Sequence, residues 1–271
     1  MYIIYYMSSG KQITFEIEEI ATEYPKVIFI VPYRDRQQHY EFFSQHMARI
    51  IDGLQYRILY IHQKDTRAFN RGAMKNIGFL TVKELYPSVY KNITLVFNDI
   101  DTMPFTPGFL NYETISGVVK HFYGFTFTLG GIVSMNAGDF ERLNGFPNYW
   151  AWGYEDNELN RRVIANGIRL DRSKFFPIMD KNILQLQDGF ARAVNRSEFE
   201  AYAKQSNEGI NSISQLVYTI DESTGFVNVT DFKTNRDENV TARSVYDLRK
   251  GKIHFPSKRG PIMKMFTPLK N

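Results

Sequence analysis

The sequence predicts an α/β fold with a mostly parallel central sheet flanked by helices. Short apolar runs rich in β-branched residues alternate with stretches carrying apolar residues at helical spacing, and a polar cluster follows each run. Residues 26–31 form a continuous apolar run stopped by Pro32, the pattern of a strand buried on both faces. Residues 37–54 place Phe42, Phe43, Met47, Ile50, Ile51 and Leu54 at helical spacing. Residues 56–61 predict a second strand, 70–85 a second amphipathic helix, and 93–97 a third strand that ends in acids. This alternation implies parallel strands joined by right-handed crossovers, with ligands at the carboxyl ends of the strands. The polar motifs fall at those ends: Arg34 and Arg36 after the first, residues 65–70 after the second, Asp99 and Asp101 after the third. Further on, Gly130-Gly131 precedes an apolar run at 132–135, and residues 156–166 read as a helix closed by Gly167. Residues 197–218 read as helical and 226–232 as a short strand. With no repeat or linker, 1–220 reads as one domain and 221–271 as a C-terminal extension of unassigned role packed on it.

The 271 residues are 43% hydrophobic and 15% aromatic, enough for a substantial core. Net charge is +4 with no long basic run interleaved with aromatics, which argues against a nucleic-acid partner and fits a phosphorylated ligand. The stretch 250–270 is basic and free of acids, and reads as a solvated terminus. The absence of cysteine excludes disulfides and thiolate metal sites. The apolar start, residues 1–7, is too short for a signal-peptide core, and no run approaches the ~20 residues of a membrane span. The expectation is a soluble, cytoplasmic chain. Sequons at Asn92, Asn195, Asn228 and Asn239 carry little weight without a secretory signal.

The densest motif is residues 144–158, NGFPNYWAWGYEDNE. It holds both tryptophans of the chain, Trp150 and Trp152, just before an acidic cluster. An indole face suits a sugar ring, and an adjacent carboxylate can take a proton from a hydroxyl. A core tryptophan pair ahead of a solvated helix start would give the same pattern. Asp99-Ile100-Asp101 at a strand end can ligate a hard cation and neutralise a diphosphate, although Asp-x-Asp also arises by chance. Arg34 and Arg36 suit bidentate phosphate contacts, or else an exposed turn. Phe69-Asn70-Arg71-Gly72 opens a helix, a place that favours anions, with Phe69 free to stack on a base; the plainer reading is capping by Asn70 over a buried Phe69. Three strand ends equipped for base, phosphate and metal favour a sugar-nucleotide site.

In order, Pro32-Tyr33-Arg34-Asp35-Arg36, Phe69-Asn70-Arg71 with Asn76-Ile77-Gly78-Phe79, Asp99-Ile100-Asp101, Gly130-Gly131, Asn144-Gly145-Phe146 and residues 150–156 resemble the β-1,4-galactosyltransferases, glycosyltransferase family 7. The likeness runs from about residue 27 to about 220 and takes in Glu208-Gly209-Ile210-Asn211-Ser212. Arg161-Arg162 and Gln185-Leu186-Gln187-Asp188 look most like the branch that galactosylates xylose on proteoglycan linkers. The resemblance implies a GT-A (Rossmann-like) fold, a UDP-sugar donor, a glycan acceptor, inversion at the anomeric carbon and a divalent metal, usually Mn2+. By position it implies that Arg34, Arg36, Phe69, Arg71, Asp99, Ile100, Gly131 and Trp152 meet the donor, with Trp152 on a mobile loop. It implies that Trp152, Glu155, Asp156 and Asn157 meet the acceptor, with Asp156 as general base, and that Asp101 ligates the metal.

This chain departs from the family pattern where histidine ligands are usual. Gln185-Leu186-Gln187-Asp188 stands there, and none of the five histidines falls in it. The expected set is therefore Asp101 with Gln187 and Asp188, weaker for Mn2+ and more tolerant of Mg2+. Loss of metal dependence, or a catalytically silent nucleotide-sugar or glycan-binding module, are the alternatives. Thr128 stands where the family commonly has tyrosine, so the donor is UDP-galactose or UDP-GalNAc; Asn157 and Tyr154 also depart from the pattern and bear on the acceptor.

Overall fold

The computed structural model describes residues 24–251 except 52, 54 and 206, together with residue 255 and the backbone of the strands at 2–6 and 12–16. β1 (Tyr2–Tyr6) and β2 (Gln12–Glu16) pair as an antiparallel hairpin. β3 (Val27–Tyr33), α1 (Gln37–Ile50), β4 (Tyr56–Gln63), α2 (Arg71–Leu85) and β5 (Thr94–Asn98) follow the predicted alternation. β6 (Thr102–Pro104) leaves the sheet; β7 (Val118–Gly124) and β8 (Ile132–Asn136) return to it, followed by α3 (Ala137–Arg142) and α4 (Glu155–Ala165). The chain continues through β9 (Arg169–Asp171), β10 (Phe176–Pro177), β11 (Ile183–Gln185), β12 (Ala191–Asn195) and α5 (Arg196–Ala203). β13 (Ser214–Asp221), β14 (Phe226–Lys233) and β15 (Arg243–Asp247) complete it.

The central sheet runs β10-β7-β8-β5-β3-β4-β14-β13, with β9 beside β7. Its middle, β5-β3-β4-β14, is parallel; β8 joins β5 antiparallel and β13 joins β14 antiparallel. All seven residues of β3 are buried, as a strand covered on both faces requires. Successive side chains point to opposite faces. Ile28 and Ile30 join the core that includes α2 residues Ala73, Met74 and Ile77. Val27, Phe29 and Val31 join the other, with Phe43 and Met47 of α1.

Residues 197–218 are not one helix. α5 ends at Ala203, a single 3-10 turn covers Ile210–Ser212, and β13 begins at Ser214. The reason lies in the spacing: Leu216, Tyr218 and Ile220 are two apart, and all three pack on the α2-side core. Residues 214–233, on both sides of position 220, form one hairpin, and β14 lies parallel to β4 inside the sheet. Its Val227, Val229 and Phe232 are fully buried. The predicted helix at 37–54 ends at Ile50, and Leu54 lies outside the described residues. So does most of the basic terminus, residues 252–254 and 256–271. Among the described residues no helix is long and apolar enough to cross a membrane.

Two buried glutamates hold the C-terminal segments against the sheet. Glu198 accepts from the Trp150 main-chain N–H, and Glu208 lies 3.7 Å from Arg236. Burial raises Glu198 to about 7, against that main-chain donor and Arg236. Burial likewise raises Glu208 to about 8 against the pull of Arg236, with Glu198 adding to the rise. A carboxyl raised in the folded state binds its proton there while the unfolded chain has already released it, so stability is lost as pH rises from about 4.5 through 7 to 8. The melting temperature is expected to fall by several degrees between pH 5 and pH 8, and Glu208→Gln is expected to flatten that fall; calorimetry at the two pH values checks both.

Candidate active site

The site is built around the first turns of α2. Asn70 caps the helix, its side chain accepting from the Ala73 N–H at 2.9 Å, and Phe69 is half-buried against the core. Gly72 is required by contact: a Cβ there would meet the Pro147 carbonyl oxygen at 1.9 Å. The asparagines of α2 and of the 144–148 turn then lock together. Asn76 donates to the Phe146 carbonyl (2.7 Å) and to Asn148 Oδ1 (2.8 Å), and accepts from the Phe146 N–H (2.9 Å). Asn148 donates onward to the Gly209 carbonyl and the Ser212 hydroxyl, both at 2.9 Å, while Asn70 donates to the Asn148 carbonyl (3.0 Å).

That lattice fixes two cations one helical turn apart. Arg71 lies 2.7 Å from Asp99 and 3.6 Å from Glu155. Lys75, only 2% exposed, lies 2.8 Å from Asp156. The Asp99 turn is set by Asn98, which donates to the carbonyls of Asp99 and Thr102, each at 2.8 Å. Gly131 adjoins it: its carbonyl accepts from the Asp99 N–H at 3.1 Å. Its φ is +78°, and a Cβ would meet the Tyr123 carbonyl oxygen at 2.4 Å, so this glycine is demanded by the fold as well. Ile100 is buried in the α1-side core, which leaves its backbone as the part available to a ligand.

The acids differ in what surrounds them. Burial works against the Asp99 carboxylate, but Arg71, with Lys75 and Arg36, holds it below the usual range. Burial and the neighbouring Asp99 charge push Asp101 above that range. Burial, with Asp156 adding, raises Glu155 to about 7, and its Oε2 has no protein partner. Tyr154 turns the chain into α4 at φ 72°, a left-handed conformation that is costly for tyrosine. Its ring packs against Phe199 and Tyr202. Asn157 follows, half-buried, on the first turn of α4.

The two tryptophans separate. Trp150 is buried, stacked on Phe232 at 5.3 Å, with its indole N–H on the Arg236 carbonyl at 2.6 Å. Trp152 is half-buried; its N–H donates to the Ala193 carbonyl (2.7 Å), and the Arg192 guanidinium lies 5.9 Å from its ring. Arg34 is committed to the fold, donating to the carbonyls of Asp65 (2.9 Å) and Arg67, at the edge of a cleft of about 270 Å3 lined also by Asp35, His62, Gln63, Lys64 and Thr66. Arg161 and Arg162 pair with Glu158, and Arg162 donates to the Gly145 carbonyl (2.7 Å), which ties α4 to the 144–148 turn.

Residues 185–188 lie beside Asp101. β11 pairs with β6, setting Gln185 opposite Thr102, and the Leu186 N–H donates to the Asp101 carbonyl at 2.8 Å. Arg36 bridges the two acids, 3.4 Å from Asp101 and in direct contact with Asp188; Arg192 lies 3.3 Å from Asp188. Asp101 and Asp188 thus converge on one positive charge, as carboxylates that share a cation do, and their oxygen donors suit a hard divalent ion. Gln185 is engaged by the Tyr123 hydroxyl at 2.6 Å, and Gln187 is exposed, its carbonyl 3.3 Å from His39 Nε2. Among the described residues no group of three or more His, Cys, Asp or Glu gathers as a metal site, so the protein offers two carboxylates and the remaining positions fall to other ligands.

Sequence reasoning missed Lys75 and Arg192. Gly72 to Phe79 are all buried, so α2 shows no polar face against which a lysine would stand out. Arg192 is brought to the site by its contact with Asp188 and by the hydrogen bond from the Trp152 N–H to the Ala193 carbonyl, a pairing with no local sequence signal.

Residues 14–108 match the model of the N-terminal region of glycosyl transferase group 7, and residues 113–183 match that of the N-terminal domain of galactosyltransferase, together more than half of the chain. The chain belongs to glycosyl transferase group 7. Xylosylprotein 4-beta-galactosyltransferase of Caenorhabditis elegans is 33% identical to this group 7 chain over 164 residues, 56% of this chain and 55% of that protein. Beta-1,4-galactosyltransferase 1 of Bos taurus is 28% identical over 211 residues, 72% of this chain and 51% of that protein. The chain spans about half the length of these curated relatives. The catalytic domain of Drosophila beta1,4galactosyltransferase 7, solved in complex with xylobiose, has a TM-score of 0.61 at 21% identity and covers 79% of this chain and 95% of that one. A mutant of the same Drosophila protein, solved in complex with manganese, UDP-Gal and xylobiose, gives the same values. The expected GT-A fold and the likeness to the xylosylprotein branch are both borne out.

Because the Asn148 side chain joins α2, through Asn76, to residues 209–212, Asn148→Ala is expected to cost at least about 2 kcal/mol by leaving buried amide and carbonyl groups unpaired. Denaturant unfolding measures it.

Proposed function

We propose that this chain is a metal-dependent inverting glycosyltransferase that moves galactose, or N-acetylgalactosamine, from a UDP-sugar to a hydroxyl of a glycan acceptor. The observation that carries the reading is the reach of one guanidinium. Arg71 touches Asp99, of the donor-side acids, and Glu155, of the acceptor-side acids, so the two groups of carboxylates share one place. The named relatives supply the chemistry to test: UDP-Gal and manganese for the donor side, xylose-terminated glycans for the acceptor.

On this reading Asp156 takes the proton of the acceptor hydroxyl as its oxygen attacks the anomeric carbon, and the bond to the diphosphate breaks on the opposite face. Glu155, with an unpaired Oε2, orients the acceptor, and Trp152 lies over the sugars. Arg36, Arg71 and Arg192 carry the positive charge that a diphosphate needs. Asp101 and Asp188 would hold Mn2+, or Mg2+ given an all-oxygen set, and the bound ion supplies Lewis-acid stabilisation of the leaving group. Thr128 stands beside the Leu129 N–H that donates to the Asp156 carbonyl (3.1 Å), and its being smaller than the family's tyrosine is what keeps UDP-GalNAc in the donor reading.

A panel of UDP-sugars with a β-xyloside acceptor, run with Mn2+, with Mg2+ and with chelator, tests donor, acceptor and metal together. Transfer is expected from UDP-Gal or UDP-GalNAc, supported by either ion and abolished by chelator; UDP binding with no product from any donor would leave a silent binding module instead. Asp156→Asn is expected to lower kcat at least ~100-fold, the scale for losing a general base, with UDP affinity kept.

A further inference from the structure

Lys75 is a buried charge that the transfer reaction as set out above does not use. Its ammonium is 2% exposed, lies 2.8 Å from Asp156 Oδ1 and sits 4.4 Å above the centre of the Phe146 ring. The same carboxylate is confined from the other side. Gly130 is so close that a Cβ there would stand 2.3 Å from Asp156 Oδ2, and the Asp156 carbonyl accepts from the Leu129 N–H. One oxygen of Asp156 is therefore held by a cation, and the other lies against Gly130.

We infer that Lys75 is a positioning residue for the general base: it fixes Oδ1 of Asp156 through a charged contact, so that Oδ2 is left to receive the acceptor's proton. The inference rests on the proposed transferase reading. The charged groups around the pair are Arg71 on the same helix, Asp99 from the turn after β5, and Glu155 at the start of α4. Burial alone would favour neutral Lys75, but Asp156, Asp99 and Glu155 outweigh it and hold the ammonium above its ordinary range. The cation is thus present at every pH at which the enzyme would be assayed. When Oδ2 takes the proton, the attacking oxygen bonds to the anomeric carbon, the diphosphate departs with the electron pair, and Lys75 stays charged, faced by Asp99 and Glu155.

The test compares the wild type with Lys75→Met, close in volume, and Lys75→Arg, which keeps the charge. kcat against pH and KM for UDP-Gal are measured for each. The titration of the Asp156 carboxyl is followed by carbon NMR, with Asp156→Asn for assignment. Lys75→Met should move the acid limb of kcat, and the carboxyl titration with it, up by at least about one pH unit, the effect of removing an adjacent opposite charge. At pH values below both limbs that is about a 10-fold fall in kcat, with KM for UDP-Gal within about twofold and both shifts reversed by Lys75→Arg. A loss uniform in pH, with an unmoved titration, would overturn the inference and leave the transferase reading standing. An inactive wild type with a titration that Lys75→Met still moves would sink the transferase reading and support the pairing. If Lys75→Met fails to fold, Lys75→Gln, which can donate to Oδ1 without charge, takes its place with the same expected shift.

Discussion

Four acids are gathered at the site around three cations, Arg71 and Lys75 on consecutive turns of one helix and Arg36 beside Asp101, and the arrangement depends on that ratio. Lys75 and Glu155 are buried, and Arg71, Asp99 and Asp101 are half-buried beside them. A charge removed from water is tolerated only when paired and hydrogen-bonded. With fewer cations than acids, not every carboxyl can be equally served, and their proton affinities spread apart. Asp99, in contact with Arg71, is held low; Asp101, farther from it and next to Asp99, is pushed up; Glu155 reaches about 7. Carboxyls that began alike are given different chemistry by their neighbours alone, and the fixed positions of Arg71 and Lys75 make the field preorganised.

The helix that carries these cations is itself positioned by polar contacts as much as by packing. Residues 70–76, 144–148 and 209–212 lie far apart in sequence and meet through Asn70, Asn76, Asn148 and Ser212. Each buried amide uses donors and acceptors that would be expensive to leave unmade. The segment after residue 220 closes the same assembly from outside, with Phe232 stacked on Trp150 and Arg67 set over both rings. Trp150 therefore belongs to the frame while Trp152 lies half-buried beside Arg192, although one residue separates them.

How much of this was legible follows from where each signal resides. β3, β4 and β5 could be read because central parallel strands are continuous apolar runs; Asp99 and Asp101 stood out as acids at the end of the third, and Glu155 and Asp156 as acids after the tryptophan pair. The expected helix over 197–218 joins α5 to the start of β13, whose period-two spacing of Leu216, Tyr218 and Ile220 runs past the end of that range, and the pairing with β14 decides. Spacing could not tell Trp150 from Trp152, since that difference is made by Phe232 and Arg236, more than 80 residues away. Asp188 was reachable only through family resemblance, because its proximity to Asp101 comes from the β6–β11 pairing and from Arg36. Lys75 gave no signal, since a lysine in a helix ordinarily faces water.

The same geometry explains why donor and acceptor halves of such a site are not independent. Arg71 is shared: a change in charge at Asp99 alters how strongly Arg71 is held there, and hence what it offers Glu155 3.6 Å away. In a medium from which water is largely excluded, an interaction of that length is weakly screened. Glu155 in turn adjoins Asp156, whose charge is among the causes of its raised proton affinity. A diphosphate placed against Arg36 and Arg71 would draw on the same positive charge that now steadies the acceptor-side acids. On the proposed reading Lys75, in contact with Asp156, is the cation left to keep that carboxylate oriented when Arg71 is engaged by a diphosphate.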